Sequence, residues 1–264
     1  MLHDVRLLAL LILFVASSSQ GVDGIMRCCG YGSSQLKYAG AMATFDVYGL
    51  PNLEKGKAIG ANIWVGDYIN SRMKVQAGWE VYPDTYGDSK THFYVYWNDG
   101  KDGCANSKCD GFVPVNFAPI TPGDVLETSN GPNNITLKIY KNKEDGDWWL
   151  YFGHDINKLS AVGYWPKSLV TNMQDRSSYV AWGGCAISDN GAISPPMGNG
   201  QWPRSDSAAS FRNVQLVDTS GGGYDPLGDN LHAFERQTCY QTGVFRFGVQ
   251  GNMFYYGGPG GCTS

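Results

Sequence analysis

The sequence predicts an all-β protein, a two-sheet antiparallel β-sandwich, and three observations carry that prediction. Glycine is abundant, at 35 of 264 residues, while aromatic residues make up 13% and charged residues only 17%. Short runs of alternating apolar and polar residues recur along the chain, separated by turn residues. Helical periodicity is scarce. Frequent turns between aromatic and β-branched runs suit strands packed in two sheets better than a helical bundle.

From about Ser34 onward the strand signals follow one another closely. Phe45 and Val47 alternate with Thr44, Asp46 and Tyr48, and Ile59, Ala61, Ile63 and Val65 form a second alternating set. The aromatic run from Thr91 to Trp97 stops at Asn98-Asp99-Gly100, a hairpin-type turn. Ile135, Leu137 and Ile139 face one way, and Thr136, Lys138 and Tyr140 the other. Further strands are expected at Trp148 to Phe152, Tyr179 to Trp182, Phe211 to Val217, Phe245 to Val249 and Met253 to Tyr256. Only Trp165 to Val170, with Pro166 in its first turn, has the makings of a short helix. Thr219 to Gly223, with its three consecutive glycines, is expected to be a flexible loop inside one domain.

Charge excludes some function classes. The net charge is −4 with both signs mixed along the chain. No basic stripe suits nucleic acid, and no Lys/Arg cluster suits a membrane surface. Peptides or neutral polymers are the expected partners, with the chain acting as a monomer and needing no cofactor.

At the N-terminus, Arg6 precedes the apolar run Leu7 to Ala16, followed by Ser17-Ser18-Ser19-Gln20-Gly21. Ten apolar residues are too few to span a bilayer, which takes about 20. The run reads as a cleaved signal peptide, residues 1–21, and predicts export to the extracellular space. Seven cysteines then meet an oxidising compartment, where disulfides are the default. Cys104 and Cys109 bracket a short loop whose bridge would hold its shape, and Cys239 with Cys262 would pin the C-terminal strands. Vicinal Cys28 and Cys29 rarely pair with each other, and an odd count leaves a thiol over. No histidine lies at ligand spacing from these cysteines, so a metal site is not expected. Asn134-Ile135-Thr136 is a sequon, which makes Asn134 a glycosylation candidate.

A set of motifs in order adds to this reading. They are Gln76-Ala77-Gly78-Trp79-Glu80-Val81-Tyr82-Pro83 with Tyr86-Gly87-Asp88, then Cys104…Cys109-Asp110-Gly111-Phe112-Val113, and Trp148-Trp149-Leu150. Gly163-Tyr164-Trp165-Pro166, Met197-Gly198-Asn199-Gly200, Phe211-Arg212-Asn213 and Phe254 to Gly261 follow. Together they resemble the plant neprosin domain, covering residues 34–264. The resemblance implies a β-sandwich and a glutamic endopeptidase that cleaves near proline at acidic pH. In such enzymes one glutamate, as general base, takes a proton from the attacking water while its partner steadies the oxyanion.

Carried over to this sequence, the two glutamate positions are Gln76 and Cys185, so neither holds a carboxylate. A glutamine amide can still donate to an oxyanion, and a related class of glutamic peptidases uses a Gln/Glu pair. A thiol, with an ordinary pKa of about 8.5, is a poor base in acid, and losing a positioned general base costs about 10²–10⁴-fold in rate. By strand parity Glu80 shares a face with Gln76, about 13 Å away. It is a candidate compensating carboxylate, set against the plainer reading of a solvent-exposed charge at the cleft rim. Cys185 as a nucleophile would need an imidazole, and none of His92, His154 and His232 lies in a motif that places it there. The plainer alternatives for Cys185 are a buried unpaired thiol or a bond to Cys28 or Cys29. Family members often carry a pro-segment after the leader, whereas here the leader runs almost directly into the domain, as in a chain without zymogen control or with a truncated gene start.

The tryptophans Trp79, Trp148, Trp149, Trp165 and Trp182 suit either a cleft platform for proline rings or sugars, or core packing, which is the simpler account. The sequence thus favours an exported pseudo-peptidase that binds peptides, proline-rich ones included, or cell-wall polymer. The alternative is an active acid endopeptidase with an altered dyad.

Overall fold

Side chains on a strand alternate between faces, so a strand with one apolar edge must lay that edge on a partner. Residues 57–66 show this directly: Ile59, Ala61, Ile63 and Val65 are buried in the main core, while Gly60, Asn62, Trp64 and Gly66 face the other way. The structure, a computed structural model, describes residues 24–67, 73–126, 134–226, 228–234, 238–248 and 251–263. The signal-peptide segment 1–21 lies outside them.

Two antiparallel sheets hold the described strands. Seven strands form the first: β1 (Gly24–Tyr38), β3 (Lys57–Gly66), β4 (Lys74–Val81), β5 (His92–Asn98), β6 (Gly103–Ala105), β11 (Ser177–Asp189) and β14 (Leu231–Phe234). Their order across the sheet is β14-β1-β11-β3-β4-β5-β6. The second sheet has nine: β2 (Gly40–Asp46), β7 (Val113–Pro114), β8 (Asn134–Lys141), β9 (Trp148–Gly153), β10 (Ser160–Trp165), β12 (Ala209–Val217), β13 (Gly223–Tyr224), β15 (Gln241–Thr242) and β16 (Phe254–Gly257). They run β15-β16-β12-β2-β8-β9-β10-β7, with β13 paired to β12. The sandwich is therefore all-β and antiparallel, and β2 lies across β3 and β11.

Tryptophans stitch the two layers. Trp79 on β4 donates to the Asp46 carbonyl (2.9 Å) and Trp182 on β11 to the Met42 carbonyl (3.2 Å), both on β2 of the opposite sheet. Each indole buries its rings in the core and finds an acceptor for its N–H, so no orphan donor is left. On β12 the Phe-Arg-Asn motif marks a bulge, with Asn213 at positive φ between Arg212 and Gln215. The extra residue lets Phe211, Val214 and Leu216 all face the core. Arg212 and Ser210 meanwhile converge on the Asp46 carboxylate.

Two local expectations differ from the structure. Trp165 ends β10, paired with Trp148, so its ring goes into the core and the expected helix does not form. Only a 3-10 turn appears there, at Thr171–Met173. A short helix, α1 (Pro83–Tyr86), lies elsewhere: Pro83 opens it and Gly87, at φ 79°, closes it by bonding the Pro83 carbonyl. Phe245 to Gly248 form no strand beyond the bridge of Arg246 to Met253, because the Phe245 amide donates to the Tyr31 hydroxyl and not to a neighbouring strand; Val249 lies outside the described residues. The loop expected at Thr219 to Gly223 is present, and its Ser220 and Gly222 amides donate to Asp218.

Three disulfides join Cys28 to Cys185, Cys104 to Cys109 and Cys239 to Cys262. Cys29 carries the remaining thiol and donates to the Gln241 carbonyl from within the core. Cys28 and Cys185 are direct cross-strand partners with Cα atoms 4.1 Å apart, and their sequence separation is 157. Loop-closure entropy predicts about 5 kcal/mol for the Cys28–Cys185 bridge and about 2 kcal/mol for Cys104–Cys109. Replacing Cys28 and Cys185 by alanine should therefore lower the denaturation midpoint more than the same change at Cys104 and Cys109, which paired urea titrations would measure.

Candidate functional site

The outer face of the seven-stranded sheet turns away from the main core, yet it is enclosed, and it sets polar groups beside a small hydrophobic cluster of Trp64, Tyr179, Ala181 and Phe234. Register places Asn62 and Trp64 of β3, Lys74, Gln76 and Glu80 of β4, Tyr94 and Tyr96 of β5, and Tyr179 and Cys185 of β11 on this one face. Gln76 and Trp64 are 3% and 2% exposed. Four polar atoms here have no hydrogen-bond partner among the described residues: Gln76 Oε1, Asn62 Oδ1, Trp64 Nε1 and Tyr179 Oη. Buried polar atoms are nearly always paired in native proteins, so four orphans on one face need an explanation.

Two predicted positions, Gln76 and Cys185, share this face without sharing a row. Cys185 pairs with Gly60, and Gly60 pairs with Glu80. Gln76 instead lies opposite Trp64, which lies opposite Ala181. Glu80 is thus level with Cys185, and Gln76 is four residues along β4, about 13 Å further on. Gly60, between Glu80 and Cys185, has no room for a side chain: a Cβ there would come within 2.5 Å of the Trp79 carbonyl and 3.3 Å of Glu80 Cβ. The sulfur of Cys185 is bonded to Cys28, so it is neither a base nor a nucleophile.

Glu80 is not a freely solvated rim charge. Its side chain is partly exposed, but burial of the carboxyl group pushes its pKa up to about 7. Opposing this are the Tyr86 hydroxyl, which donates to Oε1 at 2.8 Å, and the charges of Lys108 and His92. The Tyr86 hydroxyl in turn accepts from Asn106 Nδ2 at 2.8 Å. Asn106 sits at positive φ inside the Cys104–Cys109 loop, and its own Oδ1 accepts from the Val95 amide. The His92 ring stacks on Tyr86 at 3.8 Å and also bonds Asp88 and the Gly123 carbonyl.

Lys74, at the far end of β4, is buried and lies over the Tyr96 ring at 6.0 Å. Burial alone draws its pKa down to about 7.

Other predicted residues lie away from this face. Asn134 opens β8 on the other sheet, partly exposed, and its carbonyl bonds His154. Thr136 of the sequon is fully buried against Thr44. His232 is on the edge strand β14. Trp79, Trp148, Trp165 and Trp182 are core residues, and Trp149 is partly exposed on the second sheet. The aromatic lining of the face comes instead from Trp64, Tyr94, Tyr96 and Tyr179, which the sequence reading did not single out. Strand parity counted from Gln76 would have found Lys74, and the alternation in Thr91 to Trp97 would have found Tyr94 and Tyr96.

The two shifted groups make opposite contributions to stability with pH. A raised carboxyl pKa favours folding below the ordinary value of 4.5, and that contribution is lost as pH rises through about 7. A depressed lysine pKa penalises folding below about 7, and the penalty is relieved as pH rises toward 10.5. Thermal unfolding of Glu80→Gln should match the native chain near pH 4 and exceed its Tm near pH 8. Lys74→Met should raise Tm most below pH 7, with the gain shrinking at pH 10.

Residues 56–259 match the neprosin family. Among solved structures, the chain resembles scytalido-glutamic peptidase in complex with a transition state analog inhibitor, at 12% identity and a TM-score of 0.47, covering 87% of this chain and 98% of that one. It also resembles SCP-B, a member of the eqolisin family of peptidases in complex with the tripeptide Ala-Ile-His, at 11% identity and a TM-score of 0.45, covering 88% and 98%. With the family match spanning most of its length, this chain belongs to the neprosin family.

Proposed function

We propose that this protein is an exported peptide-binding member of the neprosin family that holds an extended, proline-containing peptide on the outer face of its seven-stranded sheet without hydrolysing it. The observation that carries the reading is the set of orphaned polar atoms there, Gln76 Oε1, Asn62 Oδ1, Trp64 Nε1 and Tyr179 Oη. Peptide backbones offer N–H donors and C=O acceptors in alternation, which suits two carbonyl-type acceptors beside an indole and a phenol. Tyr94 and Tyr96, with ring centroids 6.4 Å apart and nearly parallel, offer flat faces to proline rings. The apolar leader and three disulfides fit export into an oxidising compartment. No described helix is long and apolar enough to cross a membrane.

Loss of hydrolysis follows from the two family positions. Gln76 cannot act as a base, and the Cys185 sulfur is held in a disulfide. A water molecule on this face therefore has no carboxylate at either position to take its proton.

One observation favours a second reading, an active endopeptidase that uses Glu80. That carboxyl is level with Cys185 across Gly60. Its pKa of about 7 keeps it protonated in acid, where it would serve as an acid, and it becomes a base only as pH rises past neutrality. Such an enzyme would gain activity toward pH 8, opposite to the acid preference that the family resemblance implies.

The test is cleavage of a proline-rich peptide pool from pH 3 to pH 8 by the native chain, Glu80→Gln, and the double variant Cys28→Ala with Cys185→Glu, which avoids stranding a thiol. The native chain should bind peptides and cut none, and the double variant should gain acid cleavage by about 10²-fold or more over background. Cleavage by the native chain that Glu80→Gln abolishes would establish the second reading. Binding of cell-wall polysaccharide with no peptide bound would redirect the assignment to a polymer ligand.

A further inference from the structure

The end of the outer face around Gly66 gathers donors without partners. Lys74 and Tyr179 flank Gly66, one on each neighbouring strand. A Cβ on Gly66 would lie 3.0 Å from the Met73 carbonyl, 3.2 Å from Lys74 Cβ and 3.5 Å from Tyr179 Cδ1, so glycine is what lets the two flanking side chains pack this closely. Lys74 is 4% exposed, and among the described residues no hydrogen bond or ion pair reaches its ammonium group. Tyr179 is likewise buried, with its hydroxyl unpaired. Trp64, in the adjacent row, adds an unpaired indole N–H to the same face. Neighbouring Asn98 is already used: its amide nitrogen donates to the Tyr96 hydroxyl at 3.3 Å and its oxygen accepts from the Gly100 amide at 2.8 Å.

A buried ammonium without a counter-ion is costly, and evolution has cheaper ways to fill space with an aliphatic chain. Donors with nothing to donate to, gathered on either side of one glycine, complement an anion with two acceptor oxygens. We infer that Lys74 and Tyr179, facing each other across Gly66, form a subsite for a carboxylate of the bound peptide. This rests on the peptide-binding reading and deepens it: the favoured ligand is a peptide that presents a carboxylate at one end of its bound segment, with its uncharged remainder running along β4 past Gln76 and Gly78. The subsite gives the ligand direction, because the opposite end of β4 carries Glu80 and would repel the same group when ionised.

The discriminating experiment is calorimetric titration of the full mature chain at pH 6 with one proline-rich heptapeptide in three forms: the free acid, the C-terminal amide, and the amide with a single internal glutamate. The free acid should bind about tenfold to a hundredfold more tightly than the amide, the range for a hydrogen bond to a charged group. The glutamate form shows whether a side-chain carboxylate serves as well as the terminal one. Lys74→Met should bind acid and amide alike, at the level of the amide, and Lys74→Arg should restore a preference for the acid. Equal affinity of the native chain for acid and amide, or a preference that survives in Lys74→Met, overturns the carboxylate subsite and leaves peptide binding standing. Failure of the native chain to bind any form overturns the peptide-binding reading, and the subsite with it.

Discussion

Everything on the outer face depends on the register of β3. Burying Ile59, Ala61, Ile63 and Val65 against the second sheet fixes the parity of that strand. Its neighbours β4 and β11 are then fixed by the ladders on either side. A slip of one residue would send every one of these side chains to the opposite face. Lys74, Gln76 and Glu80 would enter the core, and Val75, Ala77 and Trp79 would leave it. The cost of burying an ammonium and a carboxylate among Ile63, Leu137 and Phe45 makes such a slip untenable. Core packing thus specifies the polar face that it never touches.

Much of this was legible in the sequence. The alternation in residues 59–65 and 135–139 marks core strands by itself, and the position of Gln76 fixes the face of Glu80 by counting in twos. What parity could not convey was lateral order. Nothing in the sequence says that β3 lies between β4 and β11, so neither the level placement of Glu80 and Cys185 nor the close packing at Gly60 and Gly66 could be foreseen. The expected helix at residues 165–170 failed for a related reason. Pro166 is a fair helix opener locally, but tertiary pairing of Trp165 with Trp148 outweighs that preference. Strand parity leaves open whether Glu80 is a compensating carboxylate or a rim charge, because its burial depends on Tyr86, Asn106 and His92, which come from three other segments.

The Cys104–Cys109 loop shows how a bridge of little thermodynamic weight can still matter to a site. It confines Asn106 to a left-handed backbone conformation and sets Lys108 within electrostatic reach of Glu80. Asn106 then positions the Tyr86 hydroxyl, and Tyr86 orients one oxygen of the carboxyl group. α1 supplies Tyr86 from the other side, stopped in place by Gly87. The carboxyl group is therefore held by backbone geometry at two separate loops and not by the sheet alone.

The vicinal cysteines carry a consequence for how the chain matures. On a pleated strand, neighbours point to opposite faces, so Cys28 meets Cys185 on the outer face while Cys29 turns into the core. As the chain emerges, both thiols appear long before residue 185, and Cys104 and Cys109 become available in between. Oxidation in order of synthesis would trap a wrong pair. The native bond becomes favoured only once β1 has docked on β11, an event that waits for the late part of the chain because the two strands are so far apart in sequence. Oxidative folding of this protein is thus a proofreading problem: thiol–disulfide exchange must run until strand docking hides Cys29 and leaves Cys28 as the partner in reach.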